Sequence, residues 1–255
     1  MDYSRLLQVI LDVAEEMLVC GAEVSRVEDS IERMCAAYGC EYMRINAFII
    51  TSNIQVTLED PDGKIITQIR RILRSDVDFD KLDYLNDLSR YICENKPSVE
   101  EIRQRFDRVM ARKHYPQWVL GLGSGLAAGS FAVFFGGTLV DGVAAVVTGI
   151  AITIMLNILG KIERNQLAKT FIVSFIAGIF ILLMIRMGFG NNADKIMIGS
   201  IMLLIPGIAM TNSVRDMLIG DIVSGMLRLT NSLIQAAAIA CGFALAMMVM
   251  GGVAI

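Results

Sequence analysis

Between residues 4 and 20, Leu6, Leu7, Ile10, Leu11, Ala14, Met17 and Leu18 recur at helical spacing, and Gly21 closes the run. That pattern predicts an amphipathic helix. The stretch AEVSRVEDSIERMCAAYG repeats the period and predicts a second helix stopped by Gly39. Its Ser25-x-x-Glu28 has the spacing of a capping box, either inside or just before that helix. The pattern then changes to strands, expected over 41–50, 53–59 and 64–72. Asn53 marks the first connection, and Pro61-Asp62-Gly63 supplies a hairpin turn for the second. Two further helices follow over about 80–95 and 98–112, punctuated by Pro97 and Ser98. The order ααβββαα predicts a compact α+β domain with an antiparallel sheet over residues 1–114.

From Trp118 onward the chain is apolar. Five runs, at about 118–137, 140–159, 168–187, 194–211 and 232–254, approach the roughly 20 residues that cross a bilayer core. An α-helical membrane domain of five spans over 115–255 is therefore expected. Basic residues set its orientation. Arg103, Arg105, Arg108, Arg112 and Lys113 precede the first run; Lys161, Arg164 and Lys169 follow the second; Arg215 and Arg228 follow the fourth. The opposite connections hold none after the first run, and only Arg186 and Lys195 after the third. This places the α+β domain in the cytoplasm and the C-terminus outside. His114, the single histidine, sits beside Tyr115 and Trp118, where an interfacial anchor is the ordinary role.

Composition sharpens the division. Hydrophobic residues make up 55% of the chain and charged residues 19%, too oily for an ordinary soluble domain. Residues 1–114 carry 16 Lys and Arg against 21 Asp and Glu, while the remainder carries 7 against 5. The acidic balance of the first part argues against nucleic acid as a partner. The opening residues lack the uninterrupted apolar core of a signal peptide, which again points to a cytoplasmic first domain. Cys20, Cys35, Cys40, Cys93 and Cys241 are scattered with no Cys-x-x-Cys pair, so reduced thiols are expected rather than zinc ligands or a disulfide framework. The sixteen methionines lie mostly in apolar runs and read as packing.

Hydrolase, zincin and Walker signatures are missing, so no enzyme and no cofactor are indicated. Glu15-Glu16 and the acids of SDVDFDKLD read as exposed helix and loop surface. Gly121, Gly125 and Gly129 repeat every four residues, which places them on one helical face and permits close helix packing.

The chemically loaded stretch is LLIPGIAMTNSVRDMLIGDIVSGMLRLTNSLIQ, residues 203–235. Pro206 removes a backbone donor and Gly207 loosens the chain, predicting a kink or break in the fourth run. Asp221, Ser224, Arg228 and Ser232 share one helical stripe. Two readings stand side by side. One is an amphipathic helix on the membrane surface, its start capped by Ser213-x-x-Asp216, with Met217, Leu218, Ile222, Val223 and Met226 in lipid. The other is a broken-helix site in which Arg215 or Arg228 takes a substrate carboxylate and an aspartate takes a proton.

The same stretch resembles the signature segment of the threonine/serine exporter family, and GAEVSRVEDSIERMCAAYG resembles the start of that family's N-terminal conserved domain. The matching positions are Gly21, Glu23, Arg26 and Glu28, then Pro206, Gly207, Thr211, Asn212, Arg215, Asp216, Gly220, Asp221, Ser224 and Gly225. The resemblance implies an exporter of small polar metabolites in the cytoplasmic membrane, driven by the proton motive force. It also implies a second membrane subunit, since the chain looks like the first component of a two-component form. A homo-oligomer is a further expectation. Within that frame Thr211, Asn212, Ser224, Arg215 and Arg228 are candidate substrate ligands, and Asp216 or Asp221 the candidate proton carrier. The substrate is an amino acid or a dicarboxylate. A regulatory or scaffolding subunit is the rival expectation.

Overall fold

The structure is a computed structural model that describes residues 2–41, 44–74, 77–112, 115–163 and 165–251. Lys113, His114 and Arg164, used above for orientation and anchoring, lie outside the described residues. The chain forms two compact units, Met1–Lys113 with Ile208–Leu229, and His114–Gly207 with Thr230–Ile255.

The first unit begins with α1 (Tyr3–Val19) and α2 (Val24–Ala37). The Asp2 carboxylate accepts from the Ser4 and Arg5 amides and so caps α1. The helices are joined through Gly21 at φ +99°, a left-handed turn that glycine makes at little cost. Strands β1 (Ile45–Ile50), β2 (Asn53–Glu59) and β3 (Ile65–Arg71) form an antiparallel meander in the order β1-β2-β3. The register pairs Ile50 with Asn53 and Glu59 with Ile65. The second turn is built by Asp60, whose side chain accepts from the Asp62 and Lys64 amides. Helices α3 (Phe79–Asn95) and α4 (Val99–Met110) follow, capped by Asp78 and Ser98.

Strand β2 alternates, with Ile54, Val56 and Leu58 buried. They meet Leu7, Ile10 and Leu11 of α1, Ile31 and Met34 of α2, Leu85 and Ile92 of α3 and Ile102 of α4 in one apolar core. Each such side chain contributes roughly 1.5–3 kcal/mol by leaving water. Two expectations change here. Glu16 is buried rather than exposed and is paired with Arg74, because the face of α1 that carries it is covered on nearly every turn. Ser25 lies inside α2, whose N-cap is Glu23, so the Ser25-x-x-Glu28 spacing does not cap the helix.

The second unit contains α5 (Gln117–Phe134), α6 (Leu139–Ile162), α7 (Gln166–Arg186) and α8 (Ala193–Ile201). It also takes the part of α10 (Ile222–Val249) that begins at Thr230. Among the described residues four helices, α5, α6, α7 and α10, are long and apolar enough to cross a membrane. The buried faces of α5 and α6 consist mostly of small residues. A Cβ added to Gly125 would stand 3.0 Å from the Val146 carbonyl oxygen, and one added to Gly129 2.9 Å from that of Gly142. Gly121 is looser, with an added Cβ only in ordinary contact with Ile150. α5 and α6 therefore approach closely along the face that carries Gly125 and Gly129.

The run expected as a fourth span is not one helix. α8 ends at Ile201, a turn follows, and α9 (Gly207–Leu218) begins directly after Pro206. The missing proline donor and the ring's bulk explain why helix does not run through. From Ile208 the chain belongs to the first unit.

Candidate functional site

The first unit brings the loaded stretch onto the connection between α1 and α2. Gly220, at φ +107°, reverses the chain between α9 and α10, and Gly225 lets the two helices close. A Cβ there would stand 2.7 Å from the Ser213 carbonyl oxygen. The Ser224 hydroxyl donates to the Ile49 carbonyl of β1 at 3.2 Å, which docks the start of α10 on the sheet.

Three consecutive residues of the connection then receive three side chains. The Asn212 amide donates to the Gly21 carbonyl at 3.3 Å. Arg228 donates through Nη2 to the Ala22 carbonyl at 3.5 Å. Arg215 donates through Nη1 to Glu23 Oε1 at 2.6 Å. Glu23 thus gives its carboxylate to an arginine 192 positions away in sequence and makes no side-chain cap for α2. Its Oε2 is buried without a hydrogen-bond partner among the described residues.

Behind this row stands Asp216, 0% exposed. Arg228 Nη1 lies 3.6 Å from its Oδ2, and neither carboxylate oxygen accepts a hydrogen bond among the described residues. Burial pushes its pKa up; Arg228 pulls the other way and Asp221 adds to the rise. Glu28 is likewise raised, by burial first and then by Glu32 and Asp221. The site thus holds two acid–arginine pairs, Glu23 with Arg215 and Asp216 with Arg228, and two acids near each other, Asp221 and Glu28.

The polarity of α9 and early α10 is inverted relative to a soluble surface helix. Ser213, Asp216 and Ser224 are buried, while Val214, Leu218, Ile222, Val223 and Met226 are exposed, Leu218 at 82%. Thr211 is exposed on α9, apart from the buried row. Arg26 lines a cavity beside Glu23 and Asn212. Pro206 and Gly207 stand at the head of α9.

Sequence reasoning singled out both halves of this site and missed the link between them. It treated Arg215 and Arg228 as open receptors for a carboxylate, whereas each already has an acid of the chain beside it. It also passed over Asp141. That carboxylate accepts from the Thr138 amide and hydroxyl, the Asn191 and Asn192 amides and the Asn192 side chain, at 2.6–2.9 Å. The signal was legible, since Thr138-x-x-Asp141 at the head of an apolar run is a capping box. No group of residues able to hold a metal ion occurs among the described residues.

Comparison with known proteins places these features in context. Residues 8–250 match the ThrE family profile, described as "Putative threonine/serine exporter". A Mycobacterium tuberculosis protein named "Probable threonine/serine exporter" is 24% identical over 93% of this chain and 45% of its own length. The chain therefore spans less than half of that relative. A Klebsiella aerogenes protein named "Probable succinate transporter subunit YjjP" is 26% identical over 98% of this chain and 96% of its own length. Its Escherichia coli namesake is 24% identical over 92% and 91%. No solved structure matches the chain.

Proposed function

The chain belongs to the threonine/serine exporter family, and from that premise we propose that it is one subunit of a secondary exporter of small polar metabolites in the cytoplasmic membrane of a bacterium. Threonine and serine, or a dicarboxylate such as succinate, are its substrates, and the proton motive force drives it. The partner is a second integral membrane subunit, in keeping with relatives named as transporter subunits.

The observation that carries this reading is Asp216, a buried carboxylate with no hydrogen bond among the described residues and an arginine at 3.6 Å. Burial favours its neutral form, which is the property a proton carrier needs. Protonation removes the charge facing Arg228, so the guanidinium exchanges Asp216 for a substrate carboxylate. Arg215 exchanges Glu23 for substrate in the same way, with Asn212, Thr211 and Ser224 as polar contacts and Asp221 as a second proton acceptor. The apolar outer face of α9 and early α10 lies in the membrane interface.

Membership of the first unit supports the expected number of crossings. Residues before α5 and residues 208–229 belong to one unit, so an even number of crossings separates them if that unit lies on one side. Helices α5, α6 and α7 supply three, and the divided α8 segment supplies the fourth. Discontinuous helices of this kind line transporter sites. With α10, the crossings number five, the first unit is cytoplasmic and the C-terminus is outside.

The arginine–acid pairing also favours a second reading, in which this chain regulates or scaffolds a path formed by its partner. Counterflow in proteoliposomes decides between them, using labelled succinate, serine and threonine with this chain alone and with the second subunit. Uptake by the purified chain alone excludes the regulatory reading. Uptake with the partner that persists unchanged in Asp216→Asn, across pH, overturns the proton role of Asp216.

A further inference from the structure

Helices α3 and α4 run antiparallel and enclose a groove of about 380 Å³ in the first unit. The pairing shows the direction. The Arg112 guanidinium lies 3.6 Å from the centroid of the Tyr84 ring, and that of Arg105 lies 3.7 Å from the centroid of the Tyr91 ring. Tyr84 and Tyr91 stand two helical turns apart on α3, as do Arg105 and Arg112 on α4, so each couple shares one helical face. Between them Asp87 and Leu88 of α3, and Arg108 and Val109 of α4, complete the lining. Leu88 is buried, Val109 and both tyrosines are half-buried, and Arg108 and Arg112 are exposed. The groove thus has ring and aliphatic carbon below and guanidinium groups at its rim.

Charge around the groove is matched except at its centre. Glu101 accepts from Arg105 at 3.0 Å and from the Tyr91 hydroxyl at 2.8 Å, which fixes ring and guanidinium together. Arg112 donates to the Tyr84 hydroxyl at 2.7 Å and has Asp80 at 3.9 Å. Asp87 is taken by Arg90 at 3.8 Å. Arg108, between the two stacked arginines, makes no side-chain ion pair or hydrogen bond among the described residues. One positive charge is therefore left over. A guanidinium stacked on a ring keeps its in-plane N–H donors directed sideways, so the tyrosines hold donors ready on either side of Arg108.

We propose that this groove binds the phosphodiester headgroup of an anionic phospholipid. The surplus of one positive charge matches the single negative charge of a phosphodiester, and guanidinium forks match its oxygens. The apolar floor takes the glycerol and the first acyl carbons, which a free inorganic anion lacks. The covalent chain points to the membrane as the source. Gln117, the first residue of α5, comes five residues after Arg112, so no more than about 18 Å of extended backbone separates the two. α5 is itself long and apolar enough to cross a membrane. Basic residues this close to a span attract anionic lipid; stacking on Tyr84 and Tyr91 turns a general attraction into a site. The groove shares no residue with the Glu23–Arg215 and Asp216–Arg228 pairs. It depends on the membrane placement of α5 and not on a transport role.

Native mass spectrometry of the full chain in detergent tests it, read on the first molecule retained. The probes are dioleoyl phosphatidylglycerol, dioleoyl phosphatidylcholine and glycerol 3-phosphate. Phosphatidylglycerol should bind roughly ten-fold more tightly than phosphatidylcholine, whose choline offsets the phosphate charge. Arg108→Gln should weaken phosphatidylglycerol roughly five-fold. Tyr84→Leu changes no charge but removes the ring beside Arg112, and should weaken it comparably. Arg103→Gln is the control. It removes the same charge from the same helix, but Arg103 pairs with Asp12 at 2.6 Å and does not line the groove. Binding by that variant should stay within about two-fold of wild type. Circular dichroism and gel filtration accompany each variant, and the exposed Arg108 carries the test if Tyr84→Leu unfolds. Equal weakening by Arg103→Gln and Arg108→Gln overturns the groove in favour of diffuse attraction, as does a folded Tyr84→Leu variant that binds normally. Indifference between the two lipids overturns the anionic class. Glycerol 3-phosphate binding as tightly as phosphatidylglycerol overturns the membrane source.

Discussion

Two aspartates are fully shielded from solvent among the described residues, one in each unit, and the chain treats them in opposite ways. Asp141, at the head of α6, accepts five hydrogen bonds and joins the α5–α6 connection to the one between α7 and α8. Asp216, on α9, accepts none among the described residues and has Arg228 as its ion-pair partner at 3.6 Å. A buried carboxylate with every lone pair used is a fastener, and removing it strands several donors at once. One left without hydrogen bonds weakens the fold in its charged form. Such a group is retained where a change of charge is itself useful.

The largest expected effect comes from breaking the fastener. Asp141→Ala leaves the Asn191, Asn192 and Thr138 amides without their acceptor and should cost about 3 kcal/mol or more. Thermal unfolding of the detergent-solubilised chain, against Asp216→Asn as the control, reads the difference. A smaller loss from Asp141→Ala than from Asp216→Asn would reverse the comparison.

Next in size is Gly225→Val, which forces a side chain against the Ser213 carbonyl and Met217. It should cost roughly 1–3 kcal/mol by overpacking. It also separates α9 from α10, so the Asp216–Arg228 pair should open. Cross-linking of cysteine pairs placed on the two helices would report that separation. Unchanged cross-linking would show that the glycine does not set their approach.

Asp216→Asn tests the second aspartate directly. The folded-state pKa of Asp216 is raised, chiefly by burial, so between the ordinary carboxylate value of about 4 and that raised value the folded state binds more protons than the unfolded one. Wild-type stability therefore falls as pH rises through this window. Asn mimics the neutral form, so the variant should lose part of that fall and change stability by under about 1 kcal/mol at neutral pH. Glu28, also raised, adds slope of the same sign. Unfolding midpoints across the acid range measure it, and an unaltered slope would remove Asp216 from the titration.

The smallest stability effect belongs to Arg215→Ala. Its side chain is 61% exposed, and exposed pairs contribute about 0–1 kcal/mol. Transport activity should nevertheless fall steeply, because the reading assigns Arg215 to the substrate. A melting shift of several kcal/mol, with transport intact, would recast the Glu23 pair as structural.

Much of this architecture follows from the order of residues alone. The helical period of α1, the alternation of β2, the Pro-Asp-Gly turn and the length of the apolar runs are local signals, each contained in one stretch of chain. So is the interruption at Pro206. The number of crossings is less local, since α8 alone is too short to read as a span. Side-chain environment was legible only where neighbours in sequence decide it. The capping box at Thr138 and Asp141 is such a case, whereas Glu16 looked exposed because its cover comes from other elements of the first unit.

What only tertiary structure decided is the identity of partners far apart in the chain. Periodicity marks Glu23 and Arg215 as charged residues on helices, but no spacing rule spans the 192 positions between them. The pair exists because Gly21 turns α1 into α2, Gly220 turns α9 into α10, and β1 receives Ser224. Long-range electrostatics depends on where the backbone returns. The sequence by itself determined which charges this protein carries beside its apolar helices, and folding determined which of them face one another, which lost their water, and which were left open.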